Sequence, residues 1–358
     1  MKKCMSMVFM IVLLLSSIDT ASAVVRSKSQ VLSYISGLQQ KTSDKVLSGQ
    51  LRGSIGWPDV GLFDQVAAIS GGKYPAIMSS DWGFWGYQGG YDYSRIVPDL
   101  LSHWDNGGLI ETCWHVNNPV TDEWNWDDST PVNLADVYTP GNPTYNVFKS
   151  HMDAVAAGLK MFQDSGAVVL FRPFHEMNGN WFWWGDKDPA QYVNLWRYVH
   201  DYMTNTKGLT NLIWVYCVNR DMGNELAYYP GSQYVDIVGI DYYDASGHIY
   251  TPPEYANLLT LGKPFAMTEV GQCAPGTTQG CTAKDSRFII EDIRNNLPET
   301  LYFNVWDDVW ALTNMNNVAQ LLADPWVVTR DEVPVGGTNA IKPSPPIKPS
   351  PPMGILIR

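Results

Sequence analysis

The sequence is poor in cysteine, and its few cysteines do not form a metal-binding pattern. Five of the 358 residues are Cys, and no CxxC pair or other Cys/His ligand spacing occurs, so a structural zinc site is not expected and no metal ligand is assigned. Cys273 and Cys281 lie eight residues apart in a Gly/Thr-rich segment, a spacing that suits a local disulfide in an exported protein. Cys113 and Cys217 lie in apolar runs and are expected to be buried thiols.

Basic residues are also few, and this argues against one class of partner. The chain has 24 Lys and Arg against 36 Asp and Glu, which gives a formal net charge of −12, and only 17% of its residues are charged. A surface of this sign repels phosphate backbones, so nucleic acid is not an expected partner. A neutral ligand remains compatible with the charge.

Long hydrophobic runs are absent outside the N-terminus. The chain starts MKKCMSMVFMIVLLLSSIDTASA, with Lys2 and Lys3 before an apolar stretch and Ala21-Ser22-Ala23 after it. This order predicts a secretory signal peptide over residues 1–23 and a secreted, extracellular product. The apolar stretch is shorter than the roughly 20 residues of a membrane span. No later segment is as long, so no membrane association is expected.

The C-terminus differs in composition from the rest of the chain. Residues 334–358 contain a doubled IKPSPP, which is typical of an extended Pro-rich linker or tail that is disordered. A further module beyond this tail is one interpretation of it. Residues 24–333 are then predicted to form a single domain.

Aromatic residues, by contrast, are abundant, with 15 Trp and 19 Tyr. Both side chains combine a flat face with a polar group, which suits them to stacking on sugar rings. A large aromatic core is the alternative explanation. We expect both, because several of these residues lie in Gly-rich segments that are unsuited to core helices.

Short apolar runs alternate with helix-like segments through most of the chain. Continuous runs such as AVVLF and VDIVGI are typical of strands that are covered on both faces in a parallel sheet. Eight strands alternating with helices predict an α/β fold, a single (β/α)8 TIM barrel. A doubly wound open sheet is the alternative, but no GxGxxG follows the first strand.

The predicted strands are Val46–Leu51, Tyr74–Ser80, Gly108–His115, Ala167–Met177, Leu212–Asn219, Val235–Tyr243, Pro264–Gly271 and Leu301–Asp307. The clearest predicted helices are Tyr145–Gly166, Pro189–Thr206 and Lys284–Leu297. Polar and aromatic residues cluster where the strands end, at Asp81-Trp82, Trp114-His115, His175-Glu176, Asp241-Tyr242-Tyr243, Glu269 and Trp306-Asp307. Because a barrel of this kind carries its active site at the carboxyl ends of its strands, this clustering predicts the site there.

Two carboxylic acids, Glu176 and Glu269, each follow a predicted strand. Hydrolysis of a glycosidic bond needs one carboxylic acid to protonate the leaving oxygen and a second carboxylate at the sugar carbon. A capping or surface role is the alternative for either residue alone. A metalloprotease HExxH motif is excluded, because Gly179 stands where the second His is required and Pro173 does not suit that helix.

Four segments carry a resemblance to a known family: RPFHEMNGNWFWWG, WHVNNP, GIDYY and TEVG. Together they resemble glycoside hydrolase family 26, whose members are mostly secreted β-mannanases. The resemblance implies a (β/α)8 barrel that cleaves β-1,4-mannosidic bonds in mannan, glucomannan or galactomannan with retention of configuration and without a cofactor. By motif, it assigns Glu176 as acid/base and Glu269 as nucleophile.

The resemblance also implies a set of residues around the sugar whose bond is cut, namely His115, His175, Trp181, Tyr243 and Trp306. A Tyr hydroxyl near Glu269 is expected to keep that carboxylate ionised. Arg172 is expected inside the barrel, paired with a carboxylate, because an unpaired charge there is costly. Four rim tryptophans are candidate stacking platforms: Trp82, Trp85, Trp124 and Trp126.

Two alternatives to a mannanase remain at this point, because the four motifs leave little room for a third, an unrelated barrel enzyme. One is another activity of the same family, a β-1,3-1,4-glucanase or a β-1,3-xylanase. The other is a secreted sugar-binding barrel that has lost catalysis. The presence of both Glu176 and Glu269 argues against the second alternative.

Overall fold

A computed structural model describes residues 26–38, 45–83, 90–123, 130–273 and 284–334. The predicted signal peptide and the Pro-rich tail after Pro334 lie outside these residues and remain predictions, as do the domain limits. Among the described residues, none of the helices combines the length and the hydropathy needed to cross a membrane.

Eight parallel strands form a closed barrel, which confirms the predicted (β/α)8 fold. The strand order runs from β2 through β8 to β1, and β1 closes the ring by pairing with β2. A short ninth strand pairs with the start of β1 on the outside. The strands are β1 Val46–Ser54, β2 Ile77–Asp81, β3 Leu109–Trp114, β4 Val169–Pro173, β5 Leu212–Asn219, β6 Ile237–Tyr243, β7 Phe265–Gly271, β8 Thr300–Val305 and β9 Val327–Val328.

Helices lie between the strands and cover the barrel. Those in the described part of the chain are α1 Lys28–Gly37, α2 Leu62–Ile69, α3 Val97–Asp105, α4 Leu134–Val137, α5 Pro143–Asp164, α6 Pro189–Asp201, α7 Pro253–Leu259, α8 Arg287–Asn296 and α9 Val318–Ala323. The two longest begin alike, because Pro143 and Pro189 occupy the first turn and the preceding Asn142 and Asp188 side chains accept backbone N–H groups.

The predicted helices are found with small shifts in their ends. The segment from Pro189 remains α-helical to Asp201 and continues as a π-helical turn over Tyr202–Thr206. Along α5 the residues that face the barrel are apolar and fully buried at helical spacing: Phe148, Met152, Val155, Leu159 and Phe162. Burial of this stripe, rather than helix propensity alone, holds α5 on the sheet.

The fourth strand is shorter than predicted. The prediction extended it to Met177, but β4 ends at Pro173. Phe174 and Glu176 adopt left-handed backbone conformations, with φ of 50° and 54°, and so turn the chain away from the sheet. Phe174 and Met177 are nevertheless fully buried. The apolar pattern therefore continues past the point where the strand ends.

The register of the sheet brings the carboxyl ends of the strands together. Asp241 on β6 is opposite Glu269 on β7, after a bulge that follows Ile240. Asp81 on β2 is opposite Cys113 on β3, next to Trp114-His115. The polar residues predicted to gather at one rim are therefore neighbours in space.

The structure tests the predictions for Cys113 and Cys217 and part of the prediction for Cys273. Cys113 and Cys217 are buried free thiols, as predicted. Cys273 is disulfide-bonded. Its predicted partner Cys281 lies outside the described residues, so the pairing itself remains a prediction.

Candidate active site

Glu176 is positioned by the turn that follows β4. Its backbone N–H donates to the carbonyl of Cys217 on β5 at 3.0 Å, which fixes the turn against the neighbouring strand. Its left-handed conformation is unusual for a residue other than glycine and is held here by the surrounding structure. The turn therefore directs the Glu176 side chain over the barrel mouth rather than along the strand.

The carboxyl group of Glu176 accepts two hydrogen bonds from neutral donors. Trp181 Nε1 donates to Oε2 at 2.6 Å, and Asn219 Nδ2 donates to Oε1 at 2.8 Å. The side chain is only 6% exposed. Burial, together with the negative charges of Asp241 and Glu269, raises the pKa of Glu176 well above its usual value. These surroundings favour the protonated form of Glu176.

Glu269 lies at the end of β7 in a different environment. Its Oε1 accepts from Arg172 Nη2 at 2.7 Å, and its Oε2 accepts from the Tyr243 hydroxyl at 2.7 Å. Burial and the charge of Asp241 raise the pKa of Glu269 to about 7, while Arg172 and the Tyr243 hydroxyl oppose the rise. A cation and a hydroxyl thus favour the ionised form of Glu269, whereas Glu176 has only neutral donors.

The contrast between the two carboxyl groups defines their chemistry. The charge of Glu269 raises the pKa of Glu176, so ionisation of one group opposes ionisation of the other. Because only Glu269 contacts a guanidinium, Glu269 ionises first and Glu176 keeps its proton. One proton donor and one carboxylate at a barrel rim are the two groups that glycosidic hydrolysis requires.

Arg172 has more contacts than the sequence indicated. It lies inside the barrel, fully buried, and pairs with three carboxyl groups on three strands: Glu111 Oε1 at 2.9 Å, Asp241 Oδ2 at 3.0 Å and Glu269 Oε1 at 2.7 Å. The expected pairing is present, but Arg172 also contacts the site carboxylate directly. It is therefore part of the active site as well as of the barrel interior.

Replacing Arg172 with Met should destabilise the protein severely. The substitution leaves three buried carboxyl groups without their cation, and loss of one partner from a buried ion pair costs about 3–5 kcal/mol. Urea unfolding followed by circular dichroism measures the change. Lys160→Met, which breaks the exposed pair with Asp164, is the control and should cost less than about 1 kcal/mol. A loss below about 1 kcal/mol for R172M would contradict this role.

Aromatic side chains around the two carboxyl groups divide into two classes. Trp181, Tyr243 and Trp306 are half-buried, so each leaves part of its ring accessible; their contact with a sugar remains a prediction. Phe182, Trp183 and Trp184 are at most 2% exposed and pack on one another and on Phe174. Most of the Trp181–Trp184 run is therefore core that supports the turn carrying Glu176.

Two glycines allow the aromatic rings to lie close to the backbone. A Cβ at Gly179 would come within 2.2 Å of the Trp181 ring, and a Cβ at Gly271 would come within 2.2 Å of the Tyr243 ring. Any larger residue would displace the ring that donates to Glu176 or to Glu269. The glycines of NGN and of TEVG are therefore explained by the approach of these rings.

The prediction for Trp82 is wrong. Its side chain has no exposed surface and packs against Tyr93 and Phe162 under α5. A ring enclosed in this way offers no face to a sugar, so Trp82 belongs to the core. The other predicted platforms, Trp85, Trp124 and Trp126, lie outside the described residues and remain predictions.

Two histidines lie between the carboxyl groups and β2. His115 and His175 are buried, with their Nε2 atoms 2.9 Å apart, and His175 Nε2 is 3.7 Å from Glu269 Oε1. His115 also packs edge-on against Trp306 at 5.9 Å. The structure thus brings five of the predicted residues to one place: His115, His175, Trp181, Tyr243 and Trp306.

Two groups of buried side chains have ligand atoms close enough together to suggest a metal. They are Asp81, Cys113 and His115, and His175, Asp241 and Glu269. In the second group, Arg172 already neutralises two carboxylates at 3.0 Å or less. In the first, His115 Nδ1 faces Asp81 at 2.9 Å. Pairing with these nitrogens accounts for both groups without an ion.

Sequence reasoning missed Asn219 as a site residue. It is the last residue of β5, and its amide donates to Glu176. The signal was a polar residue at the carboxyl end of an apolar strand, the same signal that identified Glu269. Glu111 was missed for a different reason, because it lies within β3 and only the barrel interior reveals its contact with Arg172.

Removing the Asn219 amide should shift the pH dependence of activity. Donation from Asn219 lowers the pKa of Glu176, so N219A raises that pKa further and keeps Glu176 protonated to higher pH. The alkaline limb of the kcat/KM profile should therefore move to higher pH, by up to about one unit for one neutral hydrogen bond. Asn205→Ala, at an exposed Asn after α6, is the matched control. A shift to lower pH would contradict Glu176 as the proton donor.

Comparison with known proteins identifies the family of this chain. Residues 21–332 match the model of Glycosyl hydrolase family 26. The chain is 34% identical to a mannan endo-1,4-beta-mannosidase of Bacillus subtilis (strain 168), with 85% of each protein covered. It is 33% identical to mannan endo-1,4-beta-mannosidase A and B of Caldalkalibacillus mannanilyticus over 88% of this chain but only 63% of that protein.

A solved structure gives the same result in three dimensions. The Bacillus subtilis mannanase man26 superimposes with a TM-score of 0.78 at 29% identity, covering 89% of this chain and 97% of that one. The residues matched by the family model, 21–332, contain both Glu176 and Glu269 with the strands that precede them. The protein is a member of glycosyl hydrolase family 26.

Proposed function

We propose that this protein is a secreted mannan endo-1,4-β-mannosidase that cleaves β-1,4-mannosidic bonds by double displacement with retention of configuration. The observation that carries the proposal is the pair of buried carboxyl groups with opposite surroundings. Glu176 is bound by two neutral donors, and Glu269 is bound by a guanidinium and a hydroxyl. The substrate class follows the names of the relatives.

In the first step, Glu269 attacks the anomeric carbon while Glu176 protonates the leaving glycosidic oxygen. The bond from the sugar to the leaving oxygen breaks, and an ester bond to Glu269 forms. The transition state is oxocarbenium-like, and the Glu269 carboxylate faces its positive charge. Tyr243 and Arg172 hold the carboxylate in place for the attack.

In the second step, a water molecule hydrolyses the ester. Glu176, now ionised, accepts a proton from this water as it attacks the same carbon. Loss of the ester from Glu269 restores the carboxylate, and Glu176 again carries its proton. Two inversions at one carbon give net retention, and this chain supplies both groups from its own side chains.

Half-buried rings supply the sugar-binding surface of the proposal. Trp306 lies next to His115 and suits the floor under the sugar ring, while Trp181 flanks Glu176 on the leaving-group side. Glucomannan and galactomannan belong to the proposed substrate range, because neutral hydroxyl-rich chains fit a mouth lined by aromatic and amide groups. A β-1,3-1,4-glucanase or β-1,3-xylanase activity and a sugar-binding barrel without catalysis are the alternatives.

Product analysis on purified protein tests the proposal. Mannan, glucomannan, lichenan and β-1,3-xylan are incubated separately, and mannohexaose is included to locate the cleavage point by chromatography. We expect short manno-oligosaccharides from mannan and internal cleavage of mannohexaose. If only lichenan or only β-1,3-xylan gave products, that polysaccharide would be the substrate instead of mannan. Binding to mannan without any product would overturn the enzymatic proposal.

Secretion is a separate part of the proposal and rests on the N-terminal sequence alone. Expression of the full chain in a host with a secretory pathway should release a product that starts at Val24. N-terminal sequencing of the protein in the medium tests this. Retention of the full-length chain inside the cell would contradict it.

A further inference from the structure

Three buried side chains lie in a row between the end of β2 and Glu269. They are Asp81, His115 and His175. His115 Nδ1 lies 2.9 Å from Asp81 Oδ2, and His115 Nε2 lies 2.9 Å from His175 Nε2. His175 Nε2 in turn is 3.7 Å from Glu269 Oε1. Each of these four side chains is at most 4% exposed. Their protonation is therefore set by one another rather than by water.

The two oxygens of Asp81 have different partners. Oδ1 accepts the backbone N–H groups of Gly83 at 2.9 Å and of His115 at 3.2 Å. Oδ2 lies 2.9 Å from His115 Nδ1, a close charge contact whose angle is not that of a hydrogen bond. A bare ring nitrogen at that distance would place its lone-pair density beside a carboxylate oxygen, which is unfavourable. His115 Nδ1 therefore carries a hydrogen.

The direction of the contact between the two histidines follows from what surrounds His175. Its Nδ1 is buried and has no hydrogen-bond partner among the described residues. If His115 donated to His175, the hydrogen of the neutral His175 would have to lie on Nδ1 as a buried, unpaired donor, which is costly. A bare Nδ1 is less costly, because unsatisfied acceptors are tolerated better than unsatisfied donors. His175 Nε2–H therefore donates to His115 Nε2.

We propose that Asp81 is a positioning residue that fixes both tautomers, so that His175 presents an N–H beside Glu269. The partial positive charge of this N–H favours the ionised nucleophile, whereas a bare Nε2 at 3.7 Å would oppose it. Burial keeps the pKa of His175 well below its usual value, and the Arg172 cation lowers it further, so His175 is neutral and its tautomer matters. The expected effect on turnover rests on the proposed function, whereas the assignment of the two tautomers does not depend on it.

Asp81→Asn should move the ring hydrogen of each histidine to its other nitrogen, with little change in the shape of the side chain at position 81. The two backbone N–H groups require the amide oxygen, so the amide nitrogen must face His115 Nδ1. The amide nitrogen donates, so His115 Nδ1 has to accept; this moves the His115 hydrogen to Nε2 and leaves His175 Nε2 bare. Glu269 loses the N–H beside it, and the His175 hydrogen moves to the unpaired Nδ1.

Long-range ¹H–¹⁵N spectra of protein labelled with ¹⁵N-histidine test the assignment directly, since the chain has only six histidines. The wild type should show His115 with hydrogen on Nδ1 and His175 with hydrogen on Nε2, and D81N should show the opposite. Wild-type spectra with hydrogen on Nε2 of His115 or on Nδ1 of His175 overturn the proposal, even if D81N does not fold.

Kinetics of D81N on mannan provide the second measurement. We expect kcat to fall about 3- to 10-fold, because Glu269 loses the dipole of one nearby N–H but no hydrogen bond, with KM changed less than about threefold. Asp292→Asn is the matched control, because Asp292 pairs with His248 at 3.0 Å away from the site. Its tautomers at His115 and His175 and its kcat should equal those of the wild type. Unchanged tautomers and kcat in folded D81N would overturn the proposal. A wild type inactive on mannan would instead reject the proposed function.

Discussion

Replacing Glu176 with Ala lowers kcat on mannan by about a hundredfold to ten-thousandfold, the range for loss of a positioned acid/base group. The loss depends on the substrate, because a mannoside with a 2,4-dinitrophenyl leaving group needs no proton to depart. With that substrate the ester on Glu269 forms at a nearly normal rate and then accumulates. Rapid-mixing kinetics should show a burst of dinitrophenol followed by slow turnover.

Azide gives the second half of this prediction. It attacks the ester without needing a base, so it should accelerate E176A and yield a β-mannosyl azide. Glu291→Ala, at an exposed position of α8, should behave as the wild type. Equal losses on mannan and on the dinitrophenyl substrate would contradict the assignment of Glu176 as acid/base.

Replacing Glu269 with Ala should abolish turnover on every substrate, activated or not, because no ester forms without the carboxylate. Azide can then occupy the vacated space and attack the anomeric carbon once, which gives an α-mannosyl azide. Product configuration is read by ¹H NMR, and circular dichroism confirms that the variant is folded. A β-mannosyl azide from E269A would show that the lost group is the acid/base instead.

The structure adds a consequence for the proton on Glu176. The negative charge of Glu269 is one cause of the raised pKa of Glu176. Glu269→Gln keeps the shape and removes the charge, so the pKa of Glu176 should fall in this variant. Titration of the ¹³C-labelled Glu176 carboxyl by NMR measures the change. The pKa of Glu176 in this variant therefore tests the assignments of Glu176 and Glu269 together.

The barrel was predictable from sequence because its strands are covered on both faces. Continuously apolar runs marked several of the eight strands, and polar residues at the strand ends marked the rim that carries Glu176 and Glu269. The same apolar signal failed at β4, where Phe174 and Met177 are buried beyond the end of the strand. Hydrophobicity reports burial, and burial does not reveal where the backbone turns.

The sequence did not reveal the direction in which individual side chains point. Trp82 follows β2 at the rim, yet its ring turns into the core beside Phe162. Asn219 ends β5 without any motif, yet its amide reaches Glu176. The roles of these residues depend on packing between distant segments, which composition and spacing along the chain do not specify.

The stereochemical assignment is tested most directly by trapping the ester. A 2-deoxy-2-fluoro-β-mannoside with a good leaving group forms the ester but destabilises the transition state for its hydrolysis, so the sugar remains attached. Peptide mass spectrometry should then find one fluorosugar on Glu269, with E269A unlabelled. A sugar attached to another residue, or an α-configured first product from mannohexaose without any trapped sugar, would contradict Glu269 as the nucleophile.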